Sequence, residues 1–535
     1  MEELRKVYGD AFLKYVLDLE DLSVAKDALN DGQRHAVGRL AQAAQHRTAD
    51  DEHTFRLNLQ FFFGNYDGTI GTTWCSALRQ ISGGDRPQVD TADTLLGQLL
   101  ELGIEIWPVF LLPEPEDWPL TIGGITPNTF SHPLSAVLRQ AILDDPALRK
   151  LFPEVPERIS DDRDTLGIHS AITVSNGHGG SRQLTTLLDT LLTGARYRQI
   201  LHGSEDIGSY LIEIEQVLDE ARRLARGEEV QVPRLIALNG LRLSSGDELV
   251  TPFGTIRQAR DSDRVLLTAP GIGGFHPQSM LETTHPLKIL DIRKFEDEAP
   301  ATAVRRLERF QSVFDGYQKR TEVNLMMTRL ALLLASDGPT FIAPAPAAWA
   351  TLDPLSSSPL QHWMLQQAEP SGTSTLDPEA IQRATTWASR IRPEEVERIE
   401  IGVKRLLSAA SIRGDLVDGF IDAVVCWENM LGSSSESTFR TCGAMACLLE
   451  PNDYKARIDL TKKLESLYNL RSKVIHGARD LNFREAKKHR DDAIRYGLEA
   501  MRRLLELPRI LKEKESSVRG KMILLSSGFV SLEPS

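Results

Sequence analysis

The stretch Leu467-Tyr468-Asn469-Leu470-Arg471-Ser472-Lys473-Val474-Ile475-His476-Gly477 holds residue types that can cleave RNA without a metal. RNA carries its own nucleophile, the 2′-hydroxyl beside the scissile phosphate, so a protein need only move protons and stabilise charge. A histidine such as His476 can serve as general base or acid, a contribution typically worth about 10² to 10⁴ in rate. An arginine such as Arg471 can hold phosphate oxygens in its planar fork as negative charge builds. The products expected of such a pair are a cyclic 2′,3′-phosphate and a 5′-hydroxyl.

Spacing alone does not single this pair out, because Arg39/His46, Arg47/His53, Arg163/His169, Arg196/His202 and Arg484/His489 fit it as well. What separates Arg471 and His476 is the element that must carry them. Read helically from Asp453, the apolar positions Tyr454, Ile458, Leu464, Leu467, Tyr468, Val474 and Ile475 keep the three-and-four rhythm of one buried stripe. Arg471 lies inside that stripe, where a bare guanidinium is costly, so it must face its own domain's interior or a second subunit. Gly477 is the usual residue for ending a helix, which leaves the His476 imidazole at the last turn, where a cation is favoured. An earlier amphipathic helix, residues 415–431, carries Leu416, Phe420, Val424, Trp427 and Leu431 and is stopped by Gly432-Ser433-Ser434-Ser435. Glu428, four residues after Val424, falls within its buried arc.

Three blocks, DGFIDAVVCWENMLG (418–432), FRTCGAMACLLE (439–450) and LYNLRSKVIHG (467–477), together resemble the C-terminal domain of the ApeA-like branch of the HEPN superfamily. These are small all-helical domains that commonly act as dimeric, metal-independent ribonucleases in bacterial toxin and anti-phage systems. The resemblance covers residues 378–515, and its last block is the most specific. It implies that Arg471 and His476 are the catalytic pair, with Ser472 as the polar residue after the arginine, where many members carry Asn, Asp or His. It implies that Glu428 is the acidic residue of the preceding helix. It further implies a homodimer in which two chains pool their pairs in a composite cleft, with RNA as substrate and abortive infection as the outcome. Lys473 can add a point charge, Tyr468 supports the block, and Glu428 can orient Arg471 or form a buried salt bridge serving the fold alone. HEPN-like domains that bind without cutting also exist, so an inert dimerisation or RNA-binding module is the alternative. Silencing by modification of a tyrosine two residues after the histidine is disfavoured, because that position is Ala478.

Composition sets the wider frame. With 535 residues, 41% of them hydrophobic, the chain can build two to four domains with proper cores. The opening MEELRK lacks a basic lead before an apolar core, and the longest apolar run, residues 330–335, is far shorter than a membrane span, so a cytoplasmic protein without a membrane partner is expected. Cys75, Cys426, Cys442 and Cys447 form no Cys-x-x-Cys pair and have no histidine at zinc spacing; buried free thiols are expected, and neither metal nor cofactor. A net charge of −13 argues against a protein that coats nucleic acid nonspecifically. Residues 455–521 nevertheless hold 19 Lys/Arg against 10 Asp/Glu, a local excess suited to phosphate, or else a solvated helix face.

The predicted fold is α+β: an N-terminal mixed α/β sensor or scaffold region with a β meander, then an all-α helical bundle. The expected divisions are a mixed region 1–230, a β-rich segment 231–298, a helical connector 299–336, a Pro/Ser-rich linker 337–377, the helical domain 378–515 and a C-terminal tail 516–535. Within them, residues 1–50 read as helix, 55–63 as a strand, 93–102 as helix and 104–112 as a buried strand. Residues 167–180 read as a short strand and loop before helices at 181–199 and 207–226. The meander takes 235–243, 248–251, 254–258 and 265–268, and 300–336 holds two helices. The last long helix opens with a capping box, Asn482 to Glu485. The glycine-rich SNGHGGS (175–181) and APGIGGFHP (269–277) match neither phosphate-loop fingerprint and read as plain loops. Residues 1–336 hold no catalytic constellation; their size and acidity suggest that they sense a phage-derived trigger or partner and restrain the cleft.

Overall fold

The structure, a computed structural model, describes residues 1–526 other than 24–27, 46–51, 114–128, 130–131, 154, 156–157, 159–168, 175–178, 245, 268–276, 292–298, 339–340, 364–371, 412–413 and 433–436. The apolar residues of the first 225 positions recur at helical spacing, and the chain buries them as helices around one core. Leu4, Phe12 and Val16 from the helices Glu2–Tyr8 and Asp10–Val16 meet Leu99 and Leu102 of Thr94–Ile106 there, together with Leu188 and Leu191 of Leu184–His202 and Val217 of Ile207–Ala225. One stretch among the described residues, Thr94–Leu111, has the length and apolarity of a membrane span, and 72% of it is buried in the fold.

Two expected strands in this lobe are helical. Residues 55–63 lie in the helix Glu52–Gly64, because Phe55, Leu59 and Phe63 recur every four residues and share its buried side. Residues 104–112 form the end of Thr94–Ile106 and the 3-10 turn Trp107–Leu111; all are buried, and a segment buried on every side shows no period to read. The strand expected near 167–180 is present as the hairpin His169–Val174 and Gly179–Gln183, and APGIGGFHP lies outside the described residues up to its final proline.

Beyond the lobe runs a six-stranded antiparallel sheet in the order Leu360–Trp363, Ala345–Thr351, Val230–Asn239, Ser279–Leu287, Gly254–Gln258, Glu248–Thr251. Alternation along the strands decides its two faces. Leu235, Ala237, Met280, Ala348 and Ala350 pack on Tyr197, Ile200 and Leu201 of the lobe. Ile236, Leu238, Leu281 and Ile256 pack on Leu332 and Ala335 of a long helix, Pro300–Ala335, and on Ala384 of the helix Pro378–Arg390. The α+β class is as expected. Residues 265–267 are not a strand, for Asp263–Leu266 is a helical turn and the missing partner of Val230–Asn239 is Ser279–Leu287; Thr268 lies outside the described residues.

The linker expected at 337–377 contains an inner strand of this sheet, Ala345–Thr351, its edge strand Leu360–Trp363, and a third strand, Ser374–Leu376, paired in parallel with Leu241–Leu243. Small residues suit the crowded inner position, and Pro346 is tolerated where the register shifts between Pro346 and Ala348.

The two helices expected at 300–336 are one 36-residue helix, Pro300–Ala335. Its last third is buried on all sides. Met327, Leu330, Leu333 and Leu334 enter the core of the C-terminal bundle, while Leu332 and Ala335 enter the sheet core. Buried Arg329 donates to the Pro344 carbonyl at 2.6 Å and Ser411 Oγ at 2.8 Å, and Arg502 from the bundle donates to the Leu334 and Ser336 carbonyls.

The bundle comprises Glu400–Ser411, Leu416–Leu431, Ser437–Leu449, Tyr454–Ile475, Phe483–Leu505 and Ser516–Leu525. The last of these corrects the expected tail at 516–535: Ile523 belongs to the bundle core, and Gly520 approaches Leu431 so closely that a Cβ there would sit 2.5 Å from the Leu431 carbonyl oxygen. Cys75, Cys426 and Cys442 are buried free thiols, whereas Cys447 is half-buried.

Candidate functional site

Two helices position the site, and each has legible ends. Asp415 caps Leu416–Leu431 by accepting from the Val417 and Asp418 amides at 2.7 and 3.2 Å. Its inner face, Phe420, Val424, Trp427 and Leu431, is fully buried, with Trp427 Nε1 donating to the Ala493 carbonyl at 3.2 Å. Glu428 therefore lies in the last turn of a helix that cannot rotate. Asp453 caps Tyr454–Ile475, and Gly477 at φ +68° ends it. There Ala478 N–H reaches the Lys473 carbonyl at 2.8 Å and Gly477 N–H reaches that of Val474 at 3.0 Å, a Schellman closure with His476 as C-cap.

The buried stripe of this helix is narrower than its apolar pattern. Leu460, Leu464, Leu467 and Tyr468 are buried, but Tyr454, Ile458 and Ile475 are exposed at 74%, 38% and 47%. Arg471 continues the stripe and meets Glu428: its Nη2 lies 3.3 Å from Oε2, while the Tyr468 hydroxyl donates to Oε1 at 2.6 Å. With 20% of the Arg471 side chain and 29% of the Glu428 side chain exposed, the pair is partly solvated rather than a core ion pair. Arg471 Nε is buried without a partner among the described residues, and the bond to Glu428 takes Nη2 alone, so the other terminal nitrogen is left to the cleft. Burial, with the hydrogen bond to Glu428, pushes the Tyr468 phenol up, so it remains a proton donor at neutral pH.

Arg471, Glu428 and Tyr468 line one cleft of about 790 Å³ with Arg398, Asn429, Gly432, Ser437, Lys514, Glu515, Ser516, Ser517 and Arg519. Four cations thus face two carboxylates in a protein of net charge −13. Arg519, 1% exposed, is fixed by the carbonyls of Asn429, Met430, Glu513 and Lys514, so it ties the end of the glutamate helix to the final helix.

His476 does not line this cleft. Five residues carry it about 7.5 Å along the helix and roughly 140° around it from Arg471, and it is exposed with no side-chain partner among the described residues. Ser472 is half-buried, and Lys473 is exposed. The structure therefore brings Arg471, Glu428 and Tyr468 together and leaves His476, Ser472 and Lys473 outside the cleft lining. Arg398, Lys514, Arg519, Ser516 and Ser517 are lining residues that the sequence reading missed. A signal for the last helix existed in Ser516-Ser517 followed by Val518, Met522 and Ile523 at helical spacing; none distinguishes Arg398 from its charged neighbours.

The competing arginine–histidine pairs fall elsewhere. His489 rests against the Phe420 ring at 6.0 Å, where burial lowers its pKa, while Arg484 is exposed. Arg196 and His202 line a separate cavity of about 460 Å³ beside Arg260. Arg196 donates to Gln199 Oε1 at 2.6 Å, and His202 Nδ1 meets Glu213 Oε1 at 2.7 Å, a bond that raises the imidazole pKa. His46 and the pair Arg163/His169 fall on residues whose side chains are not described, as does Arg47/His53. Among the described residues no three His, Cys, Asp or Glu side chains gather in a way that could hold a metal ion. Set against protein-family models, curated proteins and solved structures, the chain matches none of them.

Proposed function

We propose that this protein is a cytoplasmic, metal-independent endoribonuclease of the HEPN type, acting in bacterial anti-phage defence by abortive infection. One observation carries the proposal: Arg471, held on one side by Glu428 and with donor capacity to spare, faces an open cleft rich in cations, and an unpartnered histidine caps the same helix. Arg471 stabilises the charge that builds on the phosphate, His476 moves the proton, and Glu428 with Tyr468 orients the guanidinium. Because Arg471 and His476 of one chain diverge around their helix, the histidine acting on a phosphate held at Arg471 comes from a second copy. Dimerisation is then a condition of activity. The exposed Tyr454, Ile458 and Ile475 of the arginine helix give that second copy an apolar surface to bury. Residues 1–336 restrain the cleft until a phage-derived trigger or partner binds.

The test is cleavage of RNA in EDTA by purified protein supplied with phage-infected lysate as the source of the trigger, with Arg471→Ala and His476→Ala alongside and the product ends mapped. Wild-type cleavage that leaves cyclic phosphates and is lost in both variants is the expected result. Equal cleavage by all three proteins would sink the assignment. A second reading, an RNA-binding or dimerisation module without catalysis, is favoured by the position of His476 outside the cleft; RNA binding that needs Arg471 but ignores His476, with no product, would establish it.

A further inference from the structure

The cations of the cleft do different work. Arg519 is taken up by four backbone carbonyls and Arg471 is held by Glu428, but Arg398 and Lys514 have no acid or carbonyl partner among the described residues. Elsewhere in the bundle arginines are anchored: Arg405 on Asp422 at 2.8 Å, Arg457 on the Glu450 and Pro451 carbonyls, Arg502 on those of Leu334 and Ser336. They share a concave site with Arg471 in which Glu428 is engaged by Arg471 and Glu515 is the other lining carboxylate, so the four cations leave a net positive charge for an entering anion. Ser516 and Ser517, which follow Lys514 after Glu515, add hydroxyls to the same lining, and Arg519 holds that segment to the glutamate helix. The two cations thus belong to a pre-formed wall rather than to a loose surface.

We propose that Arg398 and Lys514 form a second phosphate subsite, which takes a backbone phosphate neighbouring the one held at Arg471. This rests on the reading of the cleft as an RNA site and specifies its substrate: a single strand recognised through its backbone. A volume of about 790 Å³, within the roughly 300–1,000 Å³ typical of small-ligand sites, matches a short stretch of single strand better than the width of a duplex. No side chain with a flat aromatic face lines the cleft apart from Tyr468, whose hydroxyl is engaged by Glu428, so bases are not read there by a stacking platform.

Binding is measured apart from cleavage by using the full-length protein and a labelled single-stranded 2′-O-methyl RNA, which lacks the nucleophile. Arg398→Ala/Lys514→Ala is expected to weaken binding about tenfold at low salt. It is also expected to flatten the salt dependence by about 1.4, the equivalent of two phosphate contacts at roughly 0.7 each on a single strand. Lys514→Glu, a reversal at an exposed position that folding does not require, is expected to weaken binding by itself, and melting curves verify that both variants are folded. Unchanged affinity and salt slope in both would overturn the subsite even if the wild type cleaves RNA. Loss of binding in both, with no cleavage by any protein, would leave the subsite standing and remove the nuclease. A duplex of the same sequence bound as well as the single strand would overturn the substrate class.

Discussion

Among the helices that carry an arginine with a histidine just beyond it, Leu184–His202 and Tyr454–Ile475 differ in what surrounds the pair. In Leu184–His202 both members are engaged: Arg196 donates to Gln199, and His202 is bonded to Glu213. In Tyr454–Ile475 the arginine is fixed from one side only, and His476, the C-cap just before Gly477, is exposed with no side-chain partner among the described residues. Both arginines line a cavity, so proximity to a cavity is not the difference. A charge stabiliser needs unused donors: Arg196 gives both terminal nitrogens to Gln199 and the Phe110 carbonyl, whereas Arg471 gives one to Glu428. Spacing is therefore a poor guide to chemistry, whereas unused hydrogen-bonding capacity in a held side chain is a good one.

That comparison can be broken. The largest expected effect is His476→Ala, which should lower RNA cleavage about 10² to 10⁴-fold while His202→Ala leaves it unchanged; equal losses would make the two pairs equivalent. Arg471→Ala should cost about 10² to 10³-fold, the scale for removing one charge-stabilising donor, against no loss for Arg196→Ala. Next comes Arg519→Ala, which orphans four carbonyls at the seam of the last helix. It should lower stability by about 3 kcal/mol, read as an earlier thermal transition of the bundle, and an unshifted transition would deny that seam its role. Glu428→Gln keeps the shape but weakens the hold on Arg471, so a fall of about tenfold in kcat is expected, with Tyr468→Phe milder. The smallest effect is one of pH. Because Glu213 raises the His202 pKa, the ion pair contributes stability that is complete below the ordinary imidazole value near 6.5 and fades as pH rises through the raised value. Melting of the wild type should fall slightly more between pH 6 and 8 than that of His202→Gln, and parallel curves would show that the N-terminal pair is not linked to folding.

Much of the site was legible because its residues sit on helices whose ends the sequence marks. Gly477 and the Asn482–Glu485 capping box act as read, the helices begin at Asp415 and Asp453 where they were placed, and Glu428 and Arg471, each set within a buried arc, meet each other. The cleft's other side was not legible. Its residues come from positions 398 and 514–519, which only the packing of the last helix against Leu431 brings to Arg471. The same cause hid the sheet. Ala345–Thr351 is a run of mostly small residues with one proline and little strand propensity of its own. It is held by pairing with Val230–Asn239, more than 100 residues earlier, an influence that no local window contains.

The helix Pro300–Ala335 gives one side of its last turns to the sheet and another to the bundle, and buried Arg329 is bonded on both sides of that junction. In terms of modular inheritance the chain has no clean place for recombination between its halves. A bundle transplanted from residue 337 onward would arrive with a hole where Met327, Leu330 and Leu334 had been and with the strand Ala345–Thr351 stripped of its neighbour. Whatever N-terminal part the bundle acquired would have had to enter together with that helix, so lineages exchanging the one part should exchange both.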